Sequence, residues 1–219
     1  GGGAAKGLAD CSGAAGNLGA EIVARANADG QTVLMALNTQ LTANPSLYKL
    51  SFSVEKDFQP LTMLGTTEHV IALHPSVPAK ALKEFLALAK QKPGTLNYAS
   101  AGVGSAIHMA AELLKQRTGI DLVHIAYKGG GPAVAAVLAG ESQVVVATTA
   151  SAIQFITAGR LRALATTGPT RSKVLPDLST VAESGYPGFD TSQWYGVLVP
   201  VATPQKLAER IRAELLKAM

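Results

Sequence analysis

The chain has 219 residues, of which 47% are hydrophobic and 16% are charged, and its formal net charge is +4. These proportions are typical of a globular protein with a sizeable core. The longest apolar runs stop well before the roughly 18 residues that a membrane-spanning helix needs. Lys and Arg are scattered rather than gathered into a basic stripe, so we expect no nucleic-acid partner. Cys11 is the only cysteine, which excludes an intramolecular disulfide and CxxC chemistry.

The first half of the chain predicts two strands and a helix. Residues 29–38 predict a turn followed by a strand, and residues 69–78 predict a second strand that ends at its prolines. Residues 78–94 predict an amphipathic helix with Pro78 in its first turn.

The second half repeats a pattern of strand, loop and helix. Alternation at this spacing is typical of βαβ units and predicts an α/β fold with mainly parallel sheets. Strands are predicted at 96–100, 121–127, 142–148, 161–168 and 194–200. Helices are predicted at 105–117, 132–140, 151–159 and 203–219.

Two of these strands have the positions of bridges between lobes. We predict a two-lobed fold in which residues 97–100 and 195–200 cross between the lobes as hinges. A ligand is then expected in the crevice between the lobes, at the carboxyl ends of the strands. The first lobe is predicted to hold residues 1–98 and 199–219, and the second to hold residues 99–198.

The segment SAGVGSAIH, residues 100–108, joins a predicted strand to a predicted helix. Gly102 and Gly104 allow a tight turn and a close approach of the backbone to a ligand. Ser105 has the position of an N-cap, so the first N–H groups of the helix are free to bind an anion. A dinucleotide fingerprint is excluded because Ile107 stands where the third glycine would be. The loop is therefore either a plain strand–helix connection or the cradle of a small carboxylate.

A second glycine-rich turn, YKGGGPA at residues 127–133, has Pro132 at the first position of its predicted helix. Two helix N-termini in one lobe can converge on a single anion. Gly129, in this second glycine-rich turn, is then expected to lie beside the ligand. Lys128 either neutralises the charge of that anion or is a solvated lysine beside a turn. Thr148, at the end of a predicted strand, adds a hydroxyl to the same carboxylate-binding set.

His108 lies near the third position of its helix, where a cation opposes the helix dipole. We therefore expect a neutral imidazole that orients the loop by packing or hydrogen bonding, with catalysis as the alternative. The four histidines lack HxH and HExxH spacing, so no metal site is predicted. A GxSxG nucleophile motif is also missing. Binding is thus favoured over covalent chemistry, and no cofactor is expected.

Trp194 is the only tryptophan, and it is either a core residue or an apolar wall beside the ligand. A loop is predicted at residues 38–42, after the first strand. Asn38 and Thr39 of this loop are expected to shape the rest of the pocket together with Trp194 and Tyr195.

Three segments carry a resemblance to a known family. They are GAAGNLG and the residues after it up to Tyr48, the stretch from Leu96 to Val144 that contains both glycine turns, and the stretch from Arg171 to Pro200. They resemble the tripartite tricarboxylate transporter receptors, which are TctC or Bug-type extracytoplasmic solute-binding proteins. The resemblance runs from about residue 13 to the end of the sequence.

The resemblance implies a periplasmic-binding-protein-like fold whose two lobes close on a small organic acid. It implies a monomer in the periplasm that delivers the acid to the integral-membrane permease subunits of a tripartite tricarboxylate-type transporter. Residues 1–10 show neither the basic nor the apolar region of a signal peptide. The family's carboxylate cradle in the second lobe corresponds to Ser100, Gly102, Gly104, Ser105 and His108.

The chain departs from the family pattern at two places. Family members begin with a strand and a Pro-Gly-Gly loop that supplies part of the site, and Gly2 and Gly3 are its remnant here. The first lobe is therefore expected to be incomplete at both ends. Near the end of strand 142–148, members commonly have an acidic or amide side chain. This chain has Thr148 and Thr149 there, which favours a neutral or apolar ligand body.

Two other functions stay open on the sequence. The same two-lobed architecture serves as the effector-binding sensor domain of regulators, which would also need a DNA-binding helix-turn-helix. An α/β enzyme that processes carboxylates would need a nucleophile or an acid–base pair.

Overall fold

The computed structural model describes residues 16–219, and these form nine helices and eight strands. Among them, no helix combines the length and the apolar character that crossing a membrane requires. The helices are α1 (Asn17–Ala24), α2 (Asn38–Thr42), α3 (Asn44–Leu47), α4 (Val54–Asp57), α5 (Leu82–Gln91), α6 (Ala106–Thr118), α7 (Gly130–Leu138), α8 (Thr149–Thr157) and α9 (Gln205–Ala218). The strands are β1 (Leu34–Leu37), β2 (Phe58–Thr67), β3 (His69–Leu73), β4 (Asn97–Ser100), β5 (Val123–Ala126), β6 (Val144–Thr148), β7 (Arg162–Thr166) and β8 (Gln193–Pro200).

The chain divides into two compact units. The first consists of the described residues up to Gly65 together with Trp194–Met219, and the second is Thr66–Gln193. The predicted lobe boundary at residues 98 and 99 differs from this division, because β3 and α5 belong to the second unit through the pairing of β3 with β6 and β7.

The predicted hinge strands differ in the same way. Strand β4 lies between β5 and β6, inside the sheet of the second unit, so residues 97–100 do not cross between units. Strand β8 pairs with β1 of the first unit from Leu198 to Tyr195, so that this stretch is also held within one unit. The chain passes between the units near the end of β2 and at the start of β8.

The second unit is built on a five-stranded sheet in the order β5-β4-β6-β3-β7. Strand β4 is parallel to β5 and β6, as the alternation of strands and helices predicts. Strand β3 is antiparallel to both of its neighbours, so the expectation of mainly parallel pairing is wrong for this half of the sheet. Only Glu68 separates β3 from β2, which belongs to the other sheet, so the chain enters this sheet directly from a strand rather than through a βαβ unit.

Both faces of this sheet are buried, which requires side chains of alternating strand positions to enter two separate cores. Ile71 and Leu73 of β3 belong to one core, which also contains apolar residues of α5 and α6. Val70 and Ala72 belong to the other core, with residues of α7 and α8. The helices therefore cover both faces of the sheet, which is an α/β arrangement.

The first unit contains a three-stranded sheet in the order β1-β8-β2. Strand β1 runs antiparallel to β8, with Leu34 opposite Leu198. Val23 of α1 packs in the core that includes these two leucines, and Ala208 of α9 packs in a second cluster with Val199.

Two helices begin at other positions than their prolines predict, and one predicted loop is a helix. Helix α5 begins at Leu82 rather than near Pro78, because the carbonyl groups on both sides of this proline accept hydrogen bonds of 3.0 Å from the Arg162 guanidinium. Helix α7 begins at Gly130, so Pro132 is its third residue, where a missing N–H is still harmless. The predicted loop at 38–42 is the short helix α2.

Candidate functional site

Three helices of the second unit begin at the same edge of its sheet. Strands β5, β4 and β6 are parallel neighbours, so their carboxyl ends meet at this edge, and each strand is followed by a helix (α7, α6 and α8). The first N–H groups of a helix have no partner within it, and the helix dipole places positive charge there. An edge that carries three such N-termini attracts anions.

The first glycine loop, residues 100–105, connects β4 to α6. Gly102 and Gly104 have φ angles of 117° and 76°, which disfavour any residue with a side chain. Ser105 is the N-cap of α6, and its side chain accepts a 3.2 Å hydrogen bond from the N–H of His108. The predicted turn and the predicted N-cap are both confirmed.

The second glycine loop, residues 127–131, lies against the first. The N–H of Tyr127 donates a 2.9 Å hydrogen bond to the carbonyl of Ser100. Gly129, with a φ of 113°, is the N-cap of α7. A β-carbon at Gly102 would lie 3.6 Å from the carbonyl oxygen of Tyr127, so the loops touch through backbone atoms. Lys128 is exposed and has no hydrogen bond or ion pair among residues 16–219, which is what we expect of a solvated lysine.

At the third N-terminus, Thr148 is the N-cap of α8, but its hydroxyl donates a 2.9 Å hydrogen bond to the Ser151 hydroxyl and makes no capping bond with the helix backbone. Thr149 is buried, and its hydroxyl lies 3.3 Å from Oε1 of Glu68. The Ser172 hydroxyl donates a 2.5 Å hydrogen bond to the same oxygen. Glu68 therefore places a carboxylate, already bound by two hydroxyl groups, beside the end of β6.

Two imidazoles hold the first glycine loop from one side. Nδ1 of His108 accepts a 3.2 Å hydrogen bond from the N–H of Gly104. Nε2 of His124 lies 2.6 Å from Oγ of Ser100, and that oxygen accepts a 3.1 Å bond from the N–H of Gly102. Burial lowers the pKa of both imidazoles, so the neutral form expected for His108 is the favoured one.

A third ring, that of Tyr98, completes this cluster. It stacks on His124 with ring centroids 4.8 Å apart, and its hydroxyl donates a 2.6 Å bond to Oε1 of Glu112. Burial and this bond to a carboxylate raise the pKa of Tyr98. Burial alone would raise the pKa of Glu112, but the hydrogen bonds from Tyr98 and Lys115 outweigh it and lower that pKa.

The first unit contains the remaining predicted positions that the structure describes. Asn38 and Thr39 open α2, and Tyr195 pairs with Leu37, the residue just before them. The half-buried ring of Trp194 approaches the α-carbon position of Gly196, where a β-carbon would lie 3.4 Å from the ring. Gly2, Gly3 and Cys11 lie outside the described residues.

Gln40 is a residue that sequence reasoning missed. Its Oε1 accepts a 2.7 Å hydrogen bond from the N–H of Leu37, and its Nε2 donates a 2.7 Å bond to the carbonyl of Gly16. The amide thus joins the starts of α1 and α2. His124, Glu112 and Glu68 were missed as well. Within residues 16–219, no group of three or more His, Cys, Asp or Glu side chains could hold a metal ion.

Comparison with known proteins gives one family. The sequence model of the tripartite tricarboxylate transporter family receptor matches residues 8–219. A UPF0065 protein from the tcbD–tcbE intergenic region of a Pseudomonas species is 35% identical over 209 residues, which are 94% of this chain and 62% of that protein. Protein BugT of Bordetella pertussis is 32% identical over 94% of this chain and 64% of its own length. The chain therefore spans about three fifths of the length of these relatives.

Solved structures that resemble this chain include periplasmic binding proteins, in agreement with the family found from the sequence. A protein described as a periplasmic transporter has a TM-score of 0.90 at 38% identity, over 94% of this chain and 70% of its own. MatC from Rhodopseudomonas palustris with bound malate has a TM-score of 0.87 at 29% identity, over 94% and 70%. An R. palustris protein with adipate has a TM-score of 0.84 at 26% identity, over 91% and 67%. These likenesses confirm the two-lobed α/β fold and the family resemblance inferred from the three sequence segments.

Proposed function

Because the chain belongs to the tripartite tricarboxylate transporter receptor family, we propose that it is a periplasmic solute receptor for a small mono- or dicarboxylic acid. The observation that carries this proposal is the pair of glycine loops in contact at the start of α6 and α7. Positive φ angles in these loops favour glycine, which has no side chain, so a carboxylate can approach the N–H groups of the helix ends.

The likeness to acid-bound structures supports this ligand class. MatC holds malate and a second R. palustris protein holds adipate, and both ligands are small dicarboxylic acids. Backbone N–H groups bind any carboxylate, so selection among acids falls to side chains around the rest of the ligand. Thr148 and Thr149 carry no charge at the end of β6, and Glu68 beside them is already bound by two hydroxyl groups. We propose that the body of the ligand is neutral or apolar.

We propose that the acid is bound and released without covalent chemistry. The 2.6 Å contact between Ser100 and His124 has the distance of a nucleophile and its base. Ser100 is nevertheless fully buried, and its oxygen already accepts the N–H of Gly102. A hydroxyl in this position holds the loop and cannot reach a substrate carbonyl.

The whole protein is proposed to act as a monomer that delivers its acid to the integral-membrane permease subunits of a tripartite tricarboxylate-type transporter. Asn38, Thr39, Trp194 and Tyr195 of the first unit are proposed to contribute to the ligand's surroundings.

Thermal unfolding in the presence of organic acids tests the proposal. Malate, adipate and a panel of mono- and dicarboxylic acids are added one at a time, with the matching amides as uncharged controls. An acid at a hundred times its Kd is expected to stabilise the protein by about 2.7 kcal/mol, and its amide is expected to have no effect. The bound acid is then recovered and identified by mass spectrometry, and it should be unchanged. Turnover of an acid, or the absence of any stabilising acid in the panel, contradicts the proposal.

A further inference from the structure

The two glycines of the first glycine loop are each held through an imidazole. The rings of His108 and His124 lie with centroids 4.3 Å apart, one on α6 and the other on β5. His108 binds Gly104 directly, and His124 reaches Gly102 through the hydroxyl of Ser100. The loop geometry therefore depends on a pair of imidazoles, side chains whose charge changes with pH.

The bond from Gly104 to His108 requires one protonation state. The N–H of Gly104 is a donor, so Nδ1 of His108 must offer a lone pair, and the ring proton then resides on Nε2. A second proton on Nδ1 would place two donors against each other and break this bond. The neutral ring is thus the only form that holds Gly104.

The link from Gly102 through Ser100 to His124 responds differently. The Ser100 hydroxyl can donate to a neutral His124, or it can accept from Nε2 and turn its proton toward the carbonyl of Gly102, 3.3 Å away. This link tolerates both protonation states of His124. This link fixes Gly102 and keeps the ring of His124 beside that of His108. If both rings were protonated, their positive charges would repel each other.

The other groups that face the two imidazoles come from two elements, β4 and α6. Tyr98 of β4 stacks on His124, and its bond to Glu112 ties that carboxylate to the cluster. Glu112 favours protonation of His108 by its charge, whereas Lys115, 2.9 Å from Glu112, opposes it. Burial disfavours protonation most, so the neutral pair is held in the folded protein at neutral pH.

We propose that His108 and His124 are positioning residues of the carboxylate cradle, and that protonation of His108 releases Gly104 and weakens acid binding. The first part concerns the loop itself, and only the second part rests on the proposed function. Acidification would then lower the affinity for an anionic ligand, although an imidazolium charge by itself attracts an anion. The proposal therefore predicts weaker binding in acid, whereas simple attraction by an imidazolium would give tighter binding.

The first experiment needs no ligand. The amide signal of Gly104 and the ring signals of His108 are followed by NMR in labelled protein between about pH 8 and pH 5. The amide is expected to shift with the same midpoint as the His108 ring. His108→Asn, whose side-chain oxygen takes the place of Nδ1 and does not titrate, should abolish this shift. His74→Asn, at a histidine that pairs with Ser76 instead, should leave it unchanged. A Gly104 amide that stays constant while His108 titrates overturns the positioning role.

The second experiment measures the affinity for malate and adipate by calorimetry at neutral and acidic pH. His108→Leu, which lacks an acceptor, should bind about tenfold more weakly at neutral pH. His108→Asn should restore the affinity at neutral pH and should also remove the part of the pH dependence of the affinity that comes from the protein. The ionisation of the acid affects the wild type and the variant equally, so it cancels when the two proteins are compared. His124→Gln should likewise rescue a loss seen in His124→Phe, because its amide replaces Nε2 toward Ser100.

The outcomes separate the two proposals. Tighter binding by the wild type in acid than by His108→Asn overturns the proposed release. If neither acid binds the wild type, the coupling to malate and adipate is refuted together with those two ligands of the proposed function. The Gly104 amide titration still decides the positioning role in that case.

Discussion

The hydroxyl of Tyr98 donates a 2.6 Å hydrogen bond to Oε1 of Glu112, and this bond joins β4 to α6 inside the second unit. Tyr98 is fully buried in the sheet, while Lys115 binds the same carboxylate oxygen from the next turn of the helix. Because β4 and α6 flank the first glycine loop, this side-chain bond fixes the separation of the two elements that the loop connects.

Tyr98→Phe is expected to destabilise the protein by about 1–2 kcal/mol, because it removes a hydrogen bond to a charged group and leaves the ring packing intact. It should also raise the pKa of Glu112, since the bond from Tyr98 is one of the interactions that lower it. Urea unfolding at neutral pH measures the first effect. Tyr186→Phe is the control, because the half-buried Tyr186 hydroxyl has no hydrogen bond among the described residues. Equal stability of the two variants would contradict the prediction.

The second unit is expected to lose stability in mild acid. Burial lowers the pKa of His69, His108 and His124 in the folded protein, whereas the unfolded chain takes up these protons near the usual value of 6.5. The stability is therefore complete above about pH 6.5 and falls as the pH drops below it through the lower folded pKa values. Glu112, whose pKa is also lowered, loses its own contribution to stability only as the pH falls below the ordinary carboxyl value of 4.5.

Urea unfolding at several pH values between about 8 and 5 checks this dependence. His124→Gln should flatten the loss, because one of the three groups no longer takes up a proton on unfolding. A free energy of unfolding that is constant across this range would show that the three imidazoles are not held neutral.

The first glycine loop was predictable from the sequence because its geometry is local. Positive φ angles at Gly102 and Gly104 and the N-cap at Ser105 follow from residue types and their order along a few positions. From residue 69 onward the order of strands and helices was predictable for the same reason, since periodicity reports on each segment separately. Strand β2 and helices α1 to α4 were not predicted.

The partners of the loop were not predictable in this way, because they depend on which strands pair. His124 reaches Ser100 because β5 lies beside β4 in parallel register, with His124 opposite Tyr98. The antiparallel direction of β3 also depends on pairing and reassigns residues 69–98 to the second unit. Gln40 donates a hydrogen bond to Gly16, which lies 24 residues earlier in the chain. No pattern of neighbouring residues predicts a contact between positions so far apart in the sequence.

Gln40→Leu is expected to destabilise the first unit by about 1–3 kcal/mol. It leaves the N–H of Leu37 and the carbonyl of Gly16 without their 2.7 Å partner in a buried place. Urea unfolding compares it with Gln91→Leu, at an exposed position of α5, which should stay within about 0.5 kcal/mol of the wild type. Similar values for both variants would show that the Gln40 amide does not hold the starts of α1 and α2.

Gly104→Val is expected to abolish acid binding while the fold survives. A side chain at a φ of 76° is strained, and a β-branched one is also expected to occupy the space in which a carboxylate would approach the N–H groups at the start of α6. The strain alone should cost about 1–2 kcal/mol of stability.

Gly119→Val is the matched control for that strain. Gly119 has nearly the same φ, 71°, at the opposite end of α6, and a β-carbon there has no neighbour within 4 Å. Both variants should lose stability in urea through the same backbone penalty, and any further loss in Gly104→Val reports the packing around this buried glycine. Calorimetry with the acid selected by thermal unfolding should show wild-type affinity for Gly119→Val and at least about a tenfold loss for Gly104→Val. If Gly104→Val keeps its affinity, the first glycine loop does not bind the carboxylate, and the anion must be held by α7, by α8 or by the first unit.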